Sequence, residues 1–174
     1  MHGLLLGPGG VRPCTIHAMQ EAYSAKTIAG VRIATSVFFL LFGEYKIAGP
    51  AFAHGGFQNY LQGYISHDAV SFYRPFLAGV VQPHAVFFGY VVGWLEFLVG
   101  ISLLLGLYIR IFSVVGALFL FNITLSSWWA PGDGAPLWRY FGSALDTLPL
   151  ILLMIVFFAA DAGRTWGLDG LRKA

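Results

Sequence analysis

One carboxylate, Glu96, lies near the middle of an apolar run from about residue 85 to 107, which is long enough to cross a bilayer as a helix. At ~100° per residue, three glycines (Gly89, Gly93 and Gly100) share its narrow helix face. A bare carboxylate at that depth costs at least ~2.5 kcal/mol. Glu96 must therefore face protein, carry a proton or pair with a cation. Its structural role would be helix packing, and its functional role would be proton handling or hydrogen bonding to a ligand.

Two other side chains are expected at the inside of the bundle near Glu96. In the first apolar run, Arg32 shares one helix face with Ser36 and Lys46, and this face should turn inward. In a later run, Asn122 lies at about the depth of Glu96. Arg32, Glu96 and Asn122 are thus the buried polar candidates. Whether Arg32 reaches Glu96 directly, or through Asn122 and a water, depends on the geometry.

A second set of polar residues lies toward the other ends of the spans. Lys46 and Asp146 both fall on inward faces there, either as an ion pair or as two side chains that extend to the interface. Ligand sites are concave and mostly apolar with a few convergent polar groups. We therefore predict a site between spans one, two and four, or alternatively simple packing. Its candidate residues are Lys46, Asp146 and Ser143 as polar groups, and Tyr60, Tyr64, Phe72, Tyr73 and Trp94 as walls.

The composition identifies the class of protein. Of the 174 residues, 57% are hydrophobic and only 10% are charged, against roughly 25% in a soluble domain. The net charge of +2 and the absence of a basic patch exclude nucleic acid as a partner. Cys14 is the only cysteine, so there is no redox-active cysteine pair. The histidines 54, 67 and 84 have no metal-ligand spacing, and we predict no metal site.

The apolar runs predict an all-α membrane protein: one transmembrane domain, residues 1–174, built as a four-helix up-down bundle. Residues 48–83 are too long for a structureless loop and should form two short interfacial helices, an outer aromatic cap. Residues 1–26 should be a surface lead-in. The four spans are expected at about residues 27–47, 85–107, 111–129 and 140–160. Pro149 should kink the last span.

The basic residues predict the orientation of this bundle in the bilayer. Seven lie on one side and three on the other: Arg12, Lys26, Arg32, Arg110, Arg164, Arg172 and Lys173 against Lys46, Arg74 and Arg139. The positive-inside rule then places both termini in the cytoplasm and the cap outside. The expected location is the cell (inner) membrane.

Four fragments taken together resemble a known family. They are Arg32, Gly43-x-x-Lys46, Glu96-x-x-x-Gly100 leading to Leu103-Leu-Leu-Gly106-Leu-x-x-Arg110, and Ala162-Gly-Arg164-x-x-Gly-Leu-Asp169. Their order and spacing resemble the DoxX/DoxD family of four-helix membrane proteins over roughly residues 27–172. The family includes the membrane subunit of thiosulfate:quinone oxidoreductase. The resemblance therefore implies quinone as the ligand and protein subunits as partners, although no cofactor motif is evident in the sequence.

Three functions remain open at this stage. The first is a membrane subunit of a redox-linked complex that passes electrons from a partner to quinone, which the resemblance implies. The second is a non-catalytic accessory subunit that packs against a larger respiratory or photosynthetic complex, since no redox centre is evident in the chain. The third is a small transporter or lipid-handling protein, which only the intramembrane polar residues support.

Overall fold

A computed structural model describes residues 13–128 and 146–172, and its regular secondary structure is all helical, with no strand in these two ranges. Three of its helical stretches are long and apolar enough to cross a membrane: Ala18–Ile47, Arg74–Leu105 and Ile109–Ser126. The fourth apolar helix, Leu148–Ala159, has 12 residues, and the first six residues of the predicted 140–160 span, 140–145, lie outside the described residues. The all-helical membrane class is therefore confirmed.

The α-helices are numbered in chain order. They are α1 (Pro13–Ile47), α2 (Phe57–Gly63), α3 (Arg74–Phe76), α4 (Ala85–Leu105), α5 (Ile109–Ser126), α6 (Leu148–Ala159) and α7 (Leu168–Arg172). π-Helical turns extend α2 on both sides, at Phe52–Gly56 and Tyr64–Asp68, and a third follows α3 at Leu77–Val81. A 3₁₀ turn, Gln82–His84, joins that last turn to α4.

The first and fourth helices form the main packing interface, and glycine makes their close approach possible. A Cβ atom on Gly43 would lie 2.6 Å from the backbone nitrogen of Phe97, and one on Gly100 would lie 2.9 Å from that of Leu40. Gly93 faces Lys46 in the same way. Residue numbers at these contacts rise along α1 while they fall along α4, so the two helices are antiparallel. The predicted glycine face of the second span is thus its packing face.

The segment between α1 and α4 is helical, as expected, but its second half was wrongly predicted as a separate surface helix. The first half runs from Phe52 to Asp68, after which Ala69 is extended (φ −68°, ψ 149°). The second half continues from Arg74 directly into α4. Pro83 and the non-helical angles of His84 (φ −118°, ψ 31°) distort this long helix without ending it. The predicted cap is therefore partly an extension of the second span.

The remaining helices complete the core against α4. α5 packs on both α4 and α6, and Pro149 lies in the first turn of α6, where its missing N–H costs nothing. Buried side chains from α1, α4, α5, α6 and the residues after α6 form one cluster: Phe39, Val99, Leu103, Ile109, Phe119, Leu120, Met154, Phe157 and Ala162. A second, smaller cluster beneath the cap contains Leu61, Ala69, Leu77, Val81 and Ala85.

Candidate functional site

Glu96 forms an ion pair with Lys46. The ammonium Nζ of Lys46 donates to both carboxylate oxygens, at 2.5 Å to Oε1 and 2.6 Å to Oε2. The side chains are 8% exposed for Glu96 and 16% for Lys46. Nζ also lies 5.3 Å from the centre of the Phe52 ring, which adds a cation–π contact. The carboxylate in the middle of the span is therefore compensated by a cation from the first helix.

The antiparallel packing of α1 and α4 explains why these two side chains meet. Side chains on a helix lean toward its N-terminus. Lys46 at the end of α1 therefore leans back toward the middle of the bundle, whereas Glu96 on the antiparallel α4 leans toward the end of α1. Gly93, one turn before Glu96, lets the Lys46 backbone approach, because a Cβ there would lie 3.0 Å from the Lys46 Cβ.

Lys46 also lines a cavity of about 840 Å³, which we call the Lys46 cavity. This volume is within the range of small-molecule sites. Its walls come from α1, the cap segment, α4 and α5. The lining residues are Phe38, Leu41, Phe42, Tyr45, Lys46, Phe52, Phe57, Tyr60, Leu61, Tyr64, Phe76, Leu77, Val81, Phe88, Val92, Phe119, Asn122, Ile123 and Ser126.

A few neutral polar groups join Lys46 on this wall. Asn122 lines the cavity, and its side-chain amide donates to the phenol oxygen of Tyr73 at 2.5 Å. The rings of Tyr60 and Tyr64 lie tilted to each other by 31°, with their centroids 6.4 Å apart. Burial is the main cause that raises the pKa of Tyr64 above its ordinary value. The neighbouring Tyr60 phenol and the carboxylates of Asp68 and Glu96 raise it further. Tyr64 is thus protonated at neutral pH and able to donate a hydrogen bond.

The structure corrects several predicted neighbours of this site. Lys46 pairs with Glu96 and not with Asp146, whose side chain is exposed before the start of α6. Trp94 is half exposed and packs edge-on against Phe97 on another face of α4. α5 supplies the wall that was assigned to span four, because no residue in the described part of span four lines the cavity.

Other members of the predicted set are placed as follows. Tyr60 and Tyr64 line the cavity, and Tyr73 reaches it through Asn122. Phe72 is 72% exposed. Ser143 lies outside the described residues. Asn122 itself is exposed in the isolated chain and contacts Tyr73, so it does not join Arg32 to Glu96.

Arg32 occupies the opposite end of the bundle. It is fully buried, and its guanidinium donates to the carbonyl oxygens of Ala162 at 2.8 Å and Trp166 at 2.9 Å. Asp169 of α7 accepts hydrogen bonds from the backbone N–H groups of Tyr108 and Ile109, both at 2.9 Å, and so caps the start of α5. The Ala162-to-Asp169 segment, one of the family-like fragments, therefore closes over Arg32, and we call it the tail latch.

The histidines are dispersed over the cap side. His67 lies 3.3 Å from Asp68, and His54 packs edge-on against Tyr90. Among the side chains that the structure describes, in residues 18–128 and 146–172, no three His, Cys, Asp or Glu residues come together as metal ligands would.

The DoxX family model matches residues 27–129, a stretch that contains Arg32, Lys46, Glu96 and Asn122. No curated protein matches the chain. No solved structure matches it either.

Proposed function

The chain belongs to the DoxX family of membrane proteins, and from this premise we propose that it is an integral membrane subunit of a redox-linked complex whose Lys46 cavity holds a quinone headgroup. The supporting observation is the combination of a large aromatic cavity with a few converging donors. A quinone presents a flat apolar ring and two carbonyl acceptors. The aromatic walls suit the ring, and the Lys46 ammonium, the Asn122 amide and the Tyr64 phenol suit the carbonyls.

The proposal divides the chemistry between this chain and a partner. With one cysteine, the chain has no cysteine pair of its own for redox chemistry. We therefore propose that electrons come from a partner subunit and that this chain binds and orients the acceptor. The Lys46–Glu96 pair would donate hydrogen bonds and protons at the headgroup, and the apolar walls would exclude water.

We further propose the four-span topology with both termini in the cytoplasm. The seven-to-three distribution of basic residues supports this orientation. In a Cys14→Ser background, Gly134→Cys should react with an impermeant thiol reagent added outside intact cells, whereas Lys173→Cys should react only after lysis. The reverse pattern would show that the orientation is inverted.

Bound quinone is the direct test of function. The protein purified in mild detergent should carry quinone that organic extraction and chromatography detect. Lys46→Met should lower the quinone content per protein several-fold. Asp146→Asn, a polar substitution outside the cavity, is the matched control and should leave it unchanged. Equal quinone content in both variants would place the ligand elsewhere. A preparation that neither retains nor takes up quinone would favour the non-catalytic accessory role.

A further inference from the structure

We infer that Glu96 makes the Lys46 cavity selective for electrically neutral headgroups, and that removal of its charge would convert the cavity into a site for anions. This inference rests on the proposed function, because it names the ligand class of the same cavity. It assigns Glu96 a role in specificity, exerted through Lys46, that differs from a structural role in helix packing.

The first argument is the charge of the wall. Among the described residues that line the cavity, Lys46 is the one side chain with a formal charge. Glu96 lies behind Lys46 and holds its ammonium through both carboxylate oxygens. The pair has zero net charge whichever partner holds the shared proton. A ligand in the cavity therefore meets a polar but electrically neutral wall.

The second argument is the number of donors that Lys46 has left. An ammonium carries three N–H donors, and the carboxylate of Glu96 takes one at 2.5 Å and another at 2.6 Å. The remaining donor can bind a neutral carbonyl oxygen while the ion pair stays intact. One available donor is thus enough for a neutral acceptor.

The third argument is the consequence of anion entry. A carboxylate or phenolate ligand would compete with Glu96 for the same ammonium and would leave one negative charge uncompensated in a largely desolvated site. The other polar lining groups, such as Asn122, Tyr64 and Ser126, are neutral and cannot compensate this charge. Anions are therefore disfavoured by the resident carboxylate.

A matched pair of probes tests this inference. A 2-methyl-3-alkyl-1,4-naphthoquinone is neutral, and the 2-hydroxy analogue with the same alkyl chain is anionic at mildly alkaline pH. Equilibrium dialysis against the purified protein in detergent gives both dissociation constants. The wild type should bind the neutral probe at least ~10-fold more tightly than the anionic one, since an unpaired charge costs at least the 1.4 kcal/mol that corresponds to that factor.

Substitutions then isolate the role of the carboxylate. Glu96→Gln keeps the shape of the side chain and should reverse the preference, because Lys46 becomes an uncompensated cation. The double substitution Lys46→Met with Glu96→Gln should abolish the gain in anion binding. Asp68→Asn removes an acid of the cap that does not contact Lys46 and should keep the wild-type preference.

The outcomes separate this inference from the function on which it rests. If neither probe binds the wild type, the proposed quinone site itself is wrong. If the neutral probe binds but the preference is the same in wild type and Glu96→Gln, the quinone site stands and the selectivity role of Glu96 is overturned. If Glu96→Gln does not fold, the wild-type preference still decides the matter, because a wild type that binds the anionic probe as tightly as the neutral one overturns the role. If the double substitution binds the anionic probe as tightly as Glu96→Gln does, the gain does not come from Lys46 and the role exerted through Lys46 is overturned.

Discussion

The two ends of the bundle each hold one cation of α1 in opposite surroundings. Arg32 is fully buried and binds two backbone carbonyls of the tail latch. Lys46 binds a carboxylate and keeps part of its surface in an 840 Å³ cavity. Two backbone carbonyls bind the Arg32 guanidinium in a fully buried site, whereas Lys46 keeps one N–H donor that can bind a ligand at the cavity. On the proposed function, stability depends on the Arg32 end and ligand binding on the Lys46 end.

The glycines reinforce this difference. A Cβ on Gly106 or Gly167 would collide with the Arg32 guanidinium, so the latch closes tightly around that cation. The glycines near Lys46, such as Gly43 and Gly93, bring α1 and α4 together behind the ion pair and leave the cavity side open. Close packing therefore surrounds Arg32 on all sides that the latch covers, whereas Lys46 is closely packed only on the side where α1 meets α4.

The largest effect on stability is expected from Arg32→Met. It removes both guanidinium hydrogen bonds and leaves the carbonyls of Ala162, which is buried, and Trp166 without this donor, at a cost of ~3 kcal/mol or more. Unfolding in detergent, followed by circular dichroism, measures this loss. Lys26→Met removes an exposed cation from the same helix and should change the free energy of unfolding by less than ~0.5 kcal/mol. Equal effects would contradict the stabilising role of the Arg32 end.

A somewhat smaller loss is expected from Gly106→Ala. Gly106 has a φ of +63°, and its added Cβ would lie 2.5 Å from the Cα of Gly167. The left-handed conformation alone costs an L-residue ~1–2 kcal/mol, so we expect a total near ~2 kcal/mol or above. The control is Gly30→Ala, where the new Cβ meets nothing within 4 Å. Helix propensity should make that variant neutral or more stable, and a tolerated Gly106→Ala would show that the latch can open.

Asp169→Asn should have a modest effect. The amide retains one acceptor for the N–H groups of Tyr108 and Ile109, so the loss should be ~1 kcal/mol. The melting temperature in detergent should fall, and the effect should largely disappear in an Arg32→Met background if the two residues hold the same latch. Additive losses would indicate that the cap and the guanidinium act independently.

The smallest effect on stability is expected from replacement of the whole ion pair. The double substitution of Lys46→Met and Glu96→Gln should change the free energy of unfolding by no more than ~1 kcal/mol, because buried pairs are often replaced without loss. Lys46→Met alone should cost more, since it leaves Glu96 without its cation. A double substitution as damaging as Arg32→Met would mean that both ends are structural.

Helix packing could be predicted from the sequence because it depends on local spacing. The inward face of α1 and the glycine face of α4 follow from ~100° per residue, and Arg32, Ser36 and Gly93 are buried as expected. The aromatic character of the cap and the position of Tyr60 and Tyr64 beside Lys46 could also be predicted from the sequence.

Partner choice could not be predicted, because it depends on the register between helices. Estimated depth and inward helix faces suggested Asp146 as a partner of Lys46. The antiparallel register at Gly93 and the direction of both side chains instead bring Lys46 to Glu96. The helical continuity from Arg74 into α4 could not be predicted either. A proline such as Pro83 usually marks a helix boundary, but here a 3₁₀ turn accommodates it within the long helix.

The most direct test of the central claim is the effect of filling the Lys46 cavity. Val92 lines this cavity, whereas its neighbour Val91 does not. The dissociation constant of the neutral naphthoquinone should rise at least ~10-fold in Val92→Phe, because the added ring occupies ligand space. It should stay within about twofold of wild type in Val91→Phe. Undiminished binding in a folded Val92→Phe protein would contradict the assignment of ligand binding to the Lys46 end.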